Sequence, residues 1–322
     1  MRRRQLAICD REWEYTCRFT EYANQQKDSL FLVHGFSSCE ELLGYMKEHT
    51  LDIVLLAETF AEQLPKGGDF GQVFLLVEEE CQKAEAVYPG IFKFQSCRAI
   101  LRQVLSLYAE QCPEKMGQVC RAGKMKRIGI YSPVGRLGKT SFALALGQTL
   151  AKQKRTLYLN LEEYSGFETL YPYGDGGTLS ELLYFLKQGK NAFACKLEGI
   201  VQQIGGLDYI PPLKSPVELR QISREDWEGL LEALEKDSRY ELVLLDLGGA
   251  VDGLYEILEQ CDGLYMPVEQ DEVARAKLSQ YENVLQMQDL DELQDRTVQF
   301  RFETVEQQEA FIHQEGKRWL DS

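Results

Sequence analysis

Arg127-Ile-Gly-Ile-Tyr-Ser-Pro-Val-Gly-Arg-Leu-Gly-Lys-Thr-Ser141 is the stretch on which the fold turns. A short apolar run enters a glycine-containing turn, Gly138-Lys139-Thr140 follows, and an apolar-periodic segment continues from Phe142 to Leu150. Phe142, Leu146, Thr149 and Leu150 fall on one face at helical spacing, so the segment reads as a helix. A strand, a glycine turn and a helix in this order have the layout of a phosphate-binding loop. Backbone N–H groups at the helix start surround the phosphates, Lys139 reaches their outer oxygens, and the Thr140 hydroxyl holds a magnesium ion. The expected contacts are Gly135, Arg136, Leu137, Gly138, Lys139, Thr140 and Ser141.

The full pattern has a further glycine where this chain has Pro133. Gly-Lys-Thr alone also occurs in ordinary strand–turn–helix units that carry a solvated lysine. The surrounding charge favours the phosphate loop. No acidic residue occurs between Lys115 and Leu161, whereas Arg121, Lys124, Lys126, Arg127, Arg136, Lys139, Lys152, Lys154 and Arg155 do. In a chain of formal net charge -15, such a local excess favours an anionic ligand. Downstream, Tyr240-Glu-Leu-Val-Leu-Leu-Asp-Leu-Gly-Gly249 reads as a buried strand ending near Asp246. A carboxylate at the C-terminal end of a parallel strand faces the crevice where α/β sheets bind ligands. There Asp246 would complete the magnesium shell with Thr140, or simply close its strand.

With 322 residues, 44% hydrophobic and 27% charged, the chain is long enough for two domains with cores of their own. No apolar run reaches membrane-spanning length. The apolar stretch after Met1-Arg-Arg-Arg4 is too short for a signal peptide. Nine cysteines without a close CxxC pair fit reduced thiols in the cytoplasm, and three histidines far from any cysteine cluster argue against zinc. The expected division is a first domain over 1–112, a linker over 113–125 where Pro113 and glycines break periodicity, and a second domain over 126–322.

The first part alternates strands and helices. Strands are expected at Gln5–Cys9, Leu30–Val33, Asp52–Leu56, Val73–Val77 and Ile91–Lys93. Helices are expected at Glu14–Gln25, Ser38–Glu48 and Arg98–Tyr108. This pattern gives a doubly wound parallel sheet. Leu6-Ala-Ile-Cys-Asp10-Arg-Glu12, Phe36-Ser-Ser-Cys-Glu-Glu-Leu-Leu-Gly-Tyr45 and Leu51-Asp-Ile-Val-Leu-Leu-Ala57 resemble the receiver domains of response regulators. The family's phosphoacceptor aspartate falls on Ala57, which has no nucleophilic oxygen, and Lys93 falls near its strand-five lysine. The resemblance implies a flavodoxin-like pseudo-receiver that docks or dimerises without phosphate chemistry. Asp10 and Glu12, lacking a third carboxylate, would make a weak divalent site at best.

From Lys126 on, the chain resembles the MinD/ParA class of P-loop ATPases. Arg155-Thr-Leu-Tyr-Leu-Asn-Leu-Glu-Glu-Tyr-Ser-Gly166 is similar to that family's second strand and first switch, with Asn160 and Glu162 where the family has aspartates. Leu247-Gly-Gly249 stands at the second switch, and Asp262-Gly-Leu-Tyr-Met-Pro-Val-Glu-Gln270 resembles the strand beside the adenine, which makes Pro267 a nucleotide contact. Lys139, Glu162 and Asp246 are the implied catalytic residues and ATP with Mg2+ the implied cofactors. Val134 occupies the place of the family's signature lysine, so weak or absent hydrolysis is expected, with Arg136 the available replacement cation.

A pseudo-receiver fused to such an ATPase resembles the CpaE/TadZ proteins of Tad-type pili and type IV-like secretion systems. The fold implied is α/β throughout: a receiver-like domain, then a P-loop domain with a mostly parallel sheet and helices on both faces. The function implied is that of a cytoplasmic, ATP-binding localisation factor. It would form a homodimer, reach the membrane or pole through pilus or secretion-system partners, and have no integral membrane segment. A nucleotide-independent scaffold is the alternative, and a ParA-type partitioning ATPase a further one. Residues 1–118 carry 13 basic and 18 acidic residues and 119–322 carry 23 and 33. Neither balance suits nonspecific DNA binding, and no sequence-specific nucleic-acid partner is expected.

Overall fold

The computed structural model describes residues 3–25, 30–65, 68, 70–78, 88–111, 124–172, 177–189 and 193–321. The chain divides into two compact units, Met1–Pro113 and Glu114–Ser322. Most of the expected linker, residues 113–123, lies outside the described residues.

The first unit runs β1 (Arg4–Cys9), α1 (Trp13–Gln25), β2 (Phe31–Phe36), α2 (Cys39–Met46), β3 (Ile53–Ala57), a 3-10 turn (Glu58–Gln63), β4 (Gln72–Val77), β5 (Gly90–Phe92) and α3 (Cys97–Gln111). All strands pair in parallel, in the order β2-β1-β3-β4-β5. β3 is buried along its whole length, as expected of a parallel strand covered on both faces. Ala7, Cys9, Val54, Leu56, Val73 and Leu75 form one face of the core with Leu42 of α2. Several expected boundaries move, among them the ends of two strands. β2 continues through His34-Gly35-Phe36 because those residues keep pairing with Ala7-Ile8-Cys9. β5 stops at Phe92, and Lys93 leaves the sheet for a cluster of carboxylates.

The second unit begins with β6 (Lys126–Ile130), α4 (Lys139–Leu150), β7 (Thr156–Leu161), α5 (Phe167–Leu170), α6 (Leu179–Lys187), α7 (Phe193–Ile200), β8 (Gln202–Ile204) and β9 (Leu207–Ile210). It continues with α8 (Pro216–Gln221), α9 (Arg224–Asp237), β10 (Leu242–Leu247), α10 (Leu254–Glu259), β11 (Gly263–Pro267), α11 (Glu272–Met287), α12 (Glu292–Arg296), β12 (Thr297–Phe300) and α13 (Val305–Leu320). The sheet order is β12-β11-β6-β10-β7-β9-β8, parallel except for the β8–β9 pair. The fold is therefore α/β with a mostly parallel sheet.

Strand periodicity sorts the side chains by face. Val243, Leu245 and Leu247 of β10 and Leu157, Leu159 and Leu161 of β7 enter one core, with Trp227 and Leu230 of α9. Leu242 and Leu244 of β10 and Tyr158 of β7 enter the other, with Phe142, Leu146 and Leu150 of α4. Asp246 and Asn160 share the parity of this second face, so the strands themselves aim them at α4. The tail, expected as a surface helix from Phe311, starts six residues earlier at Val305 and packs Ile312 and Trp319 inward. Trp319 Nε1 donates to Tyr265 Oη (2.8 Å), and Lys154 Nζ donates to the Trp319 carbonyl (2.8 Å).

Candidate functional site

The loop between β6 and α4 lies at the C-terminal edge of the sheet. Ser132 Oγ ties it to β11 by donating to the Pro267 carbonyl (2.9 Å) and accepts from Val134 N (3.2 Å). Pro267 is thus a support of the loop through its backbone. Two residues of the loop take left-handed backbone, Arg136 (φ 63°) and Gly138 (φ 76°). The first is uncommon for a residue with a Cβ. Gly135 and Ser141 are exposed, as is Arg136, which has no ion pair among the described residues, while Leu137 is half-buried. Val134, which by sequence stands where the resembled family has its signature lysine, contributes its backbone amide to this frame.

Gly138 is the N-cap of α4 and provides no side-chain cap. The other long helices of this unit are capped by an oxygen: Ser223 on α9, Asp271 on α11 and Thr304 on α13. An uncapped first turn leaves amide donors and the positive end of the helix dipole for an anion.

Lys139 and Thr140 open α4. Thr140 Oγ1 donates to Asp246 Oδ2 at 2.6 Å, across 106 residues of chain. The same oxygen accepts from Tyr158 Oη (2.9 Å) and Asn160 Nδ2 (3.3 Å), and Asn160 Nδ2 also donates to Tyr158 Oη (2.9 Å). The other carboxylate oxygen, Asp246 Oδ1, is buried without a hydrogen-bond partner among the described residues. Burial pushes the Asp246 carboxyl above the usual carboxylate range, against the opposing effects of the Thr140 hydrogen bond, the Lys139 charge and the Tyr158 hydrogen bond. Burial, followed by the Asp246 charge, drives the Tyr158 phenol well above its ordinary value, so it remains a donor.

Asp246 therefore carries three donors on one oxygen and none on the other. A buried acceptor without a partner is costly, and a carboxylate with one unpaired oxygen, bonded through the other to the Thr140 hydroxyl, has the oxygen chemistry that a hydrated divalent cation takes. Lys139 is mostly buried and forms an ion pair with Glu162, the residue just past β7. Glu162 N donates to Asn160 Oδ1 (3.1 Å), which fixes the backbone behind this carboxylate. Gly248, after β10, donates to the Leu161 carbonyl (3.2 Å). A Cβ there would stand 3.0 Å from that carbonyl oxygen and 3.1 Å from Glu162 Cα, so only glycine fits without displacing one loop or the other.

Lys139, Thr140, Glu162 and Asp246 are thus brought together by three strands. Tyr158 and Ser132 were missed as site residues. A signal for Tyr158 existed, because Tyr158 and Asn160 fall on one face of β7 and Glu162, just past its end, continues the alternation.

A second cluster lies in the first unit. Lys93 Nζ stands 2.9 Å from Asp10 Oδ2, 3.2 Å from Glu12 Oε1 and 3.7 Å from Glu78 Oε1. Lys93 and Asp10 are both buried. Burial alone would lower the lysine pKa, but hydrogen bonds to Asp10 and Glu12 outweigh it and raise it. The ammonium also lies 5.0 Å from the centre of the Tyr15 ring. Ala57, at the end of β3, offers no carboxylate here.

No helix among the described residues is long and apolar enough to cross a membrane. No family model matches the chain. No curated protein matches it either. Solved structures with a similar fold include a plasmid partition protein from Borrelia burgdorferi B31 bound to AMPPNP, with 17% identity over 57% of this chain and 89% of that one, TM-score 0.41. A ParA family ATPase from Chlorobium tepidum TLS shares 18% identity over 50% of this chain and 68% of that one, TM-score 0.42. The Cyanothece McdA–ATP complex shares 17% identity over 52% of this chain and 65% of that one, TM-score 0.40.

Proposed function

We propose that the second unit is a magnesium–ATP-binding switch of the MinD/ParA type. What carries this reading is the contact of Thr140 with one oxygen of Asp246 while the other, buried, oxygen has no hydrogen-bond partner among the described residues. Thr140 and Asp246 would hold Mg2+, which neutralises phosphate charge when bound. The free amides at the start of α4 bind phosphate oxygens, and Lys139 supplies the positive charge beside them. Weak or absent hydrolysis follows from Val134, which supplies no cation to a partner's nucleotide, and from the extra methylene of Glu162 relative to aspartate.

In the fuller form of the proposal, the chain is a CpaE/TadZ-like localisation and assembly factor of a Tad-type pilus or type IV-like secretion system, working as a nucleotide-dependent homodimer. The first unit is its pseudo-receiver. Support comes from the parallel strand order 2-1-3-4-5, from Ala57 at the end of β3, and from Lys93 turned onto Asp10. The acid excess of both halves argues against a DNA-coating role.

Calorimetric titration of Mg2+–ATP into the full chain tests the switch, with light scattering for the dimer. Binding lost in Lys139→Ala, by about tenfold or more, and a mass doubling with ATP are the expected results. Failure of the wild type to bind would make the chain a nucleotide-independent scaffold.

A further inference from the structure

We propose that Glu162 is a built-in competitor for the terminal phosphate, holding Lys139 in the ligand-free protein and giving it up when a polyphosphate enters. This rests on the phosphate-loop reading above and adds the regulation of that site. Lys139 is the cation of the loop, and its ammonium is engaged by the Glu162 carboxylate. A carboxylate on that ammonium and a phosphate oxygen at the same place repel each other, so the two partners exclude one another.

Three features adapt Glu162 to this task. Its side chain is one methylene longer than aspartate and reaches across from the end of β7 to the first residue of α4. Its backbone is fixed by the Asn160 side chain (3.1 Å), so the carboxylate can leave while the chain behind it stays in place. The Gly248 position lies directly against it, a Cβ there falling 3.2 Å from Glu162 Oε2. Glycine at 248 therefore leaves the Glu162 side chain room to sit there. The neighbouring Glu163 is paired with Arg220 of α8 (2.9 Å). In the free protein the segment after β7 is thus held at two successive carboxylates, and the ligand releases one of them.

Calorimetric titrations of the full chain with Mg2+–ATP and with inorganic pyrophosphate test this. Pyrophosphate has no base or sugar, so its affinity reports the phosphate subsite around Lys139 without contributions from base or ribose contacts. Glu162→Gln should bind both ligands about tenfold more tightly than wild type. Glu162→Asp, charged but shorter, should fall between. Thermal melts of each variant verify the fold. Equal or weaker binding by Glu162→Gln, with Lys139→Ala still abolishing binding, would overturn the competitor while leaving the phosphate site intact. Absence of binding by wild type and Glu162→Gln alike would overturn both.

Discussion

Each unit buries an aspartate at the C-terminal end of an interior strand, Asp10 after β1 and Asp246 in β10, but the two are balanced in opposite ways. Asp10 faces a tethered ammonium, Lys93, which it shares with Glu12 and Glu78. Asp246 faces neutral donors, the hydroxyls of Thr140 and Tyr158 and the amide of Asn160, and one of its oxygens is left without a hydrogen-bond partner among the described residues. The nearest ammonium, Lys139, is engaged elsewhere, by Glu162. A buried carboxylate supplied with its own cation has little use for another. One held by neutral donors still carries a charge that an incoming cation can satisfy. The difference teaches which of two similarly built strand ends is closed and which is receptive.

Breaking the closed end should have the largest effect. Lys93→Met leaves buried carboxylate charge unpaired and should cost about 3–5 kcal/mol of stability by denaturant unfolding. Adding Asp10→Asn should recover much of that loss, because the orphaned charge is then removed as well. A double variant no more stable than the single would show that Lys93 acts through packing instead.

At the open end, Tyr158→Phe deletes one of three donors to a buried charged acceptor. A loss of about 1.5–3 kcal/mol is expected, together with weaker Mg2+–ATP binding. Unchanged stability would mean that water replaces the phenol.

Asp246→Asn should produce a smaller change of the opposite sign. The raised pKa of Asp246 means that the folded protein holds this proton more tightly than the unfolded chain. Its contribution to stability is therefore full below the ordinary carboxylate range and lost as pH rises through the raised value. At neutral pH, removing the charge should raise the melting temperature of the ligand-free protein while abolishing Mg2+–ATP binding. A melting temperature that falls at neutral pH would contradict the strain assigned to this carboxylate.

The strand–loop–helix unit around Gly138 was legible because its pattern is local. Gly138, Lys139 and Thr140 are consecutive, and the helix after them shows its apolar period. Asp246 was legible from a long buried strand. The partnership of Tyr158 and Asn160 with Asp246 was not, because it depends on β10 inserting between β6 and β7, a neighbour relation that no local pattern contains. The segment from α5 to α8 was also opaque: its helices span four to nine residues, shorter than the window in which helical periodicity emerges. β8 is Gln202-Gln203-Ile204, an edge strand whose polar residues give no strand signal. Lys93 could be placed only loosely from sequence, since its role appears once β5 ends one residue early.

Manganese binding, followed by electron paramagnetic resonance of the full chain with and without ATP, tests the contrast between the two ends most directly. The account predicts no tight Mn2+ in the absence of nucleotide and one tightly bound ion per chain with ATP, lost in Asp246→Asn and retained in Asp10→Asn. Tight Mn2+ without nucleotide, surviving Asp246→Asn and lost in Asp10→Asn, would contradict it: the receptive carboxylate would then be the one beside Lys93.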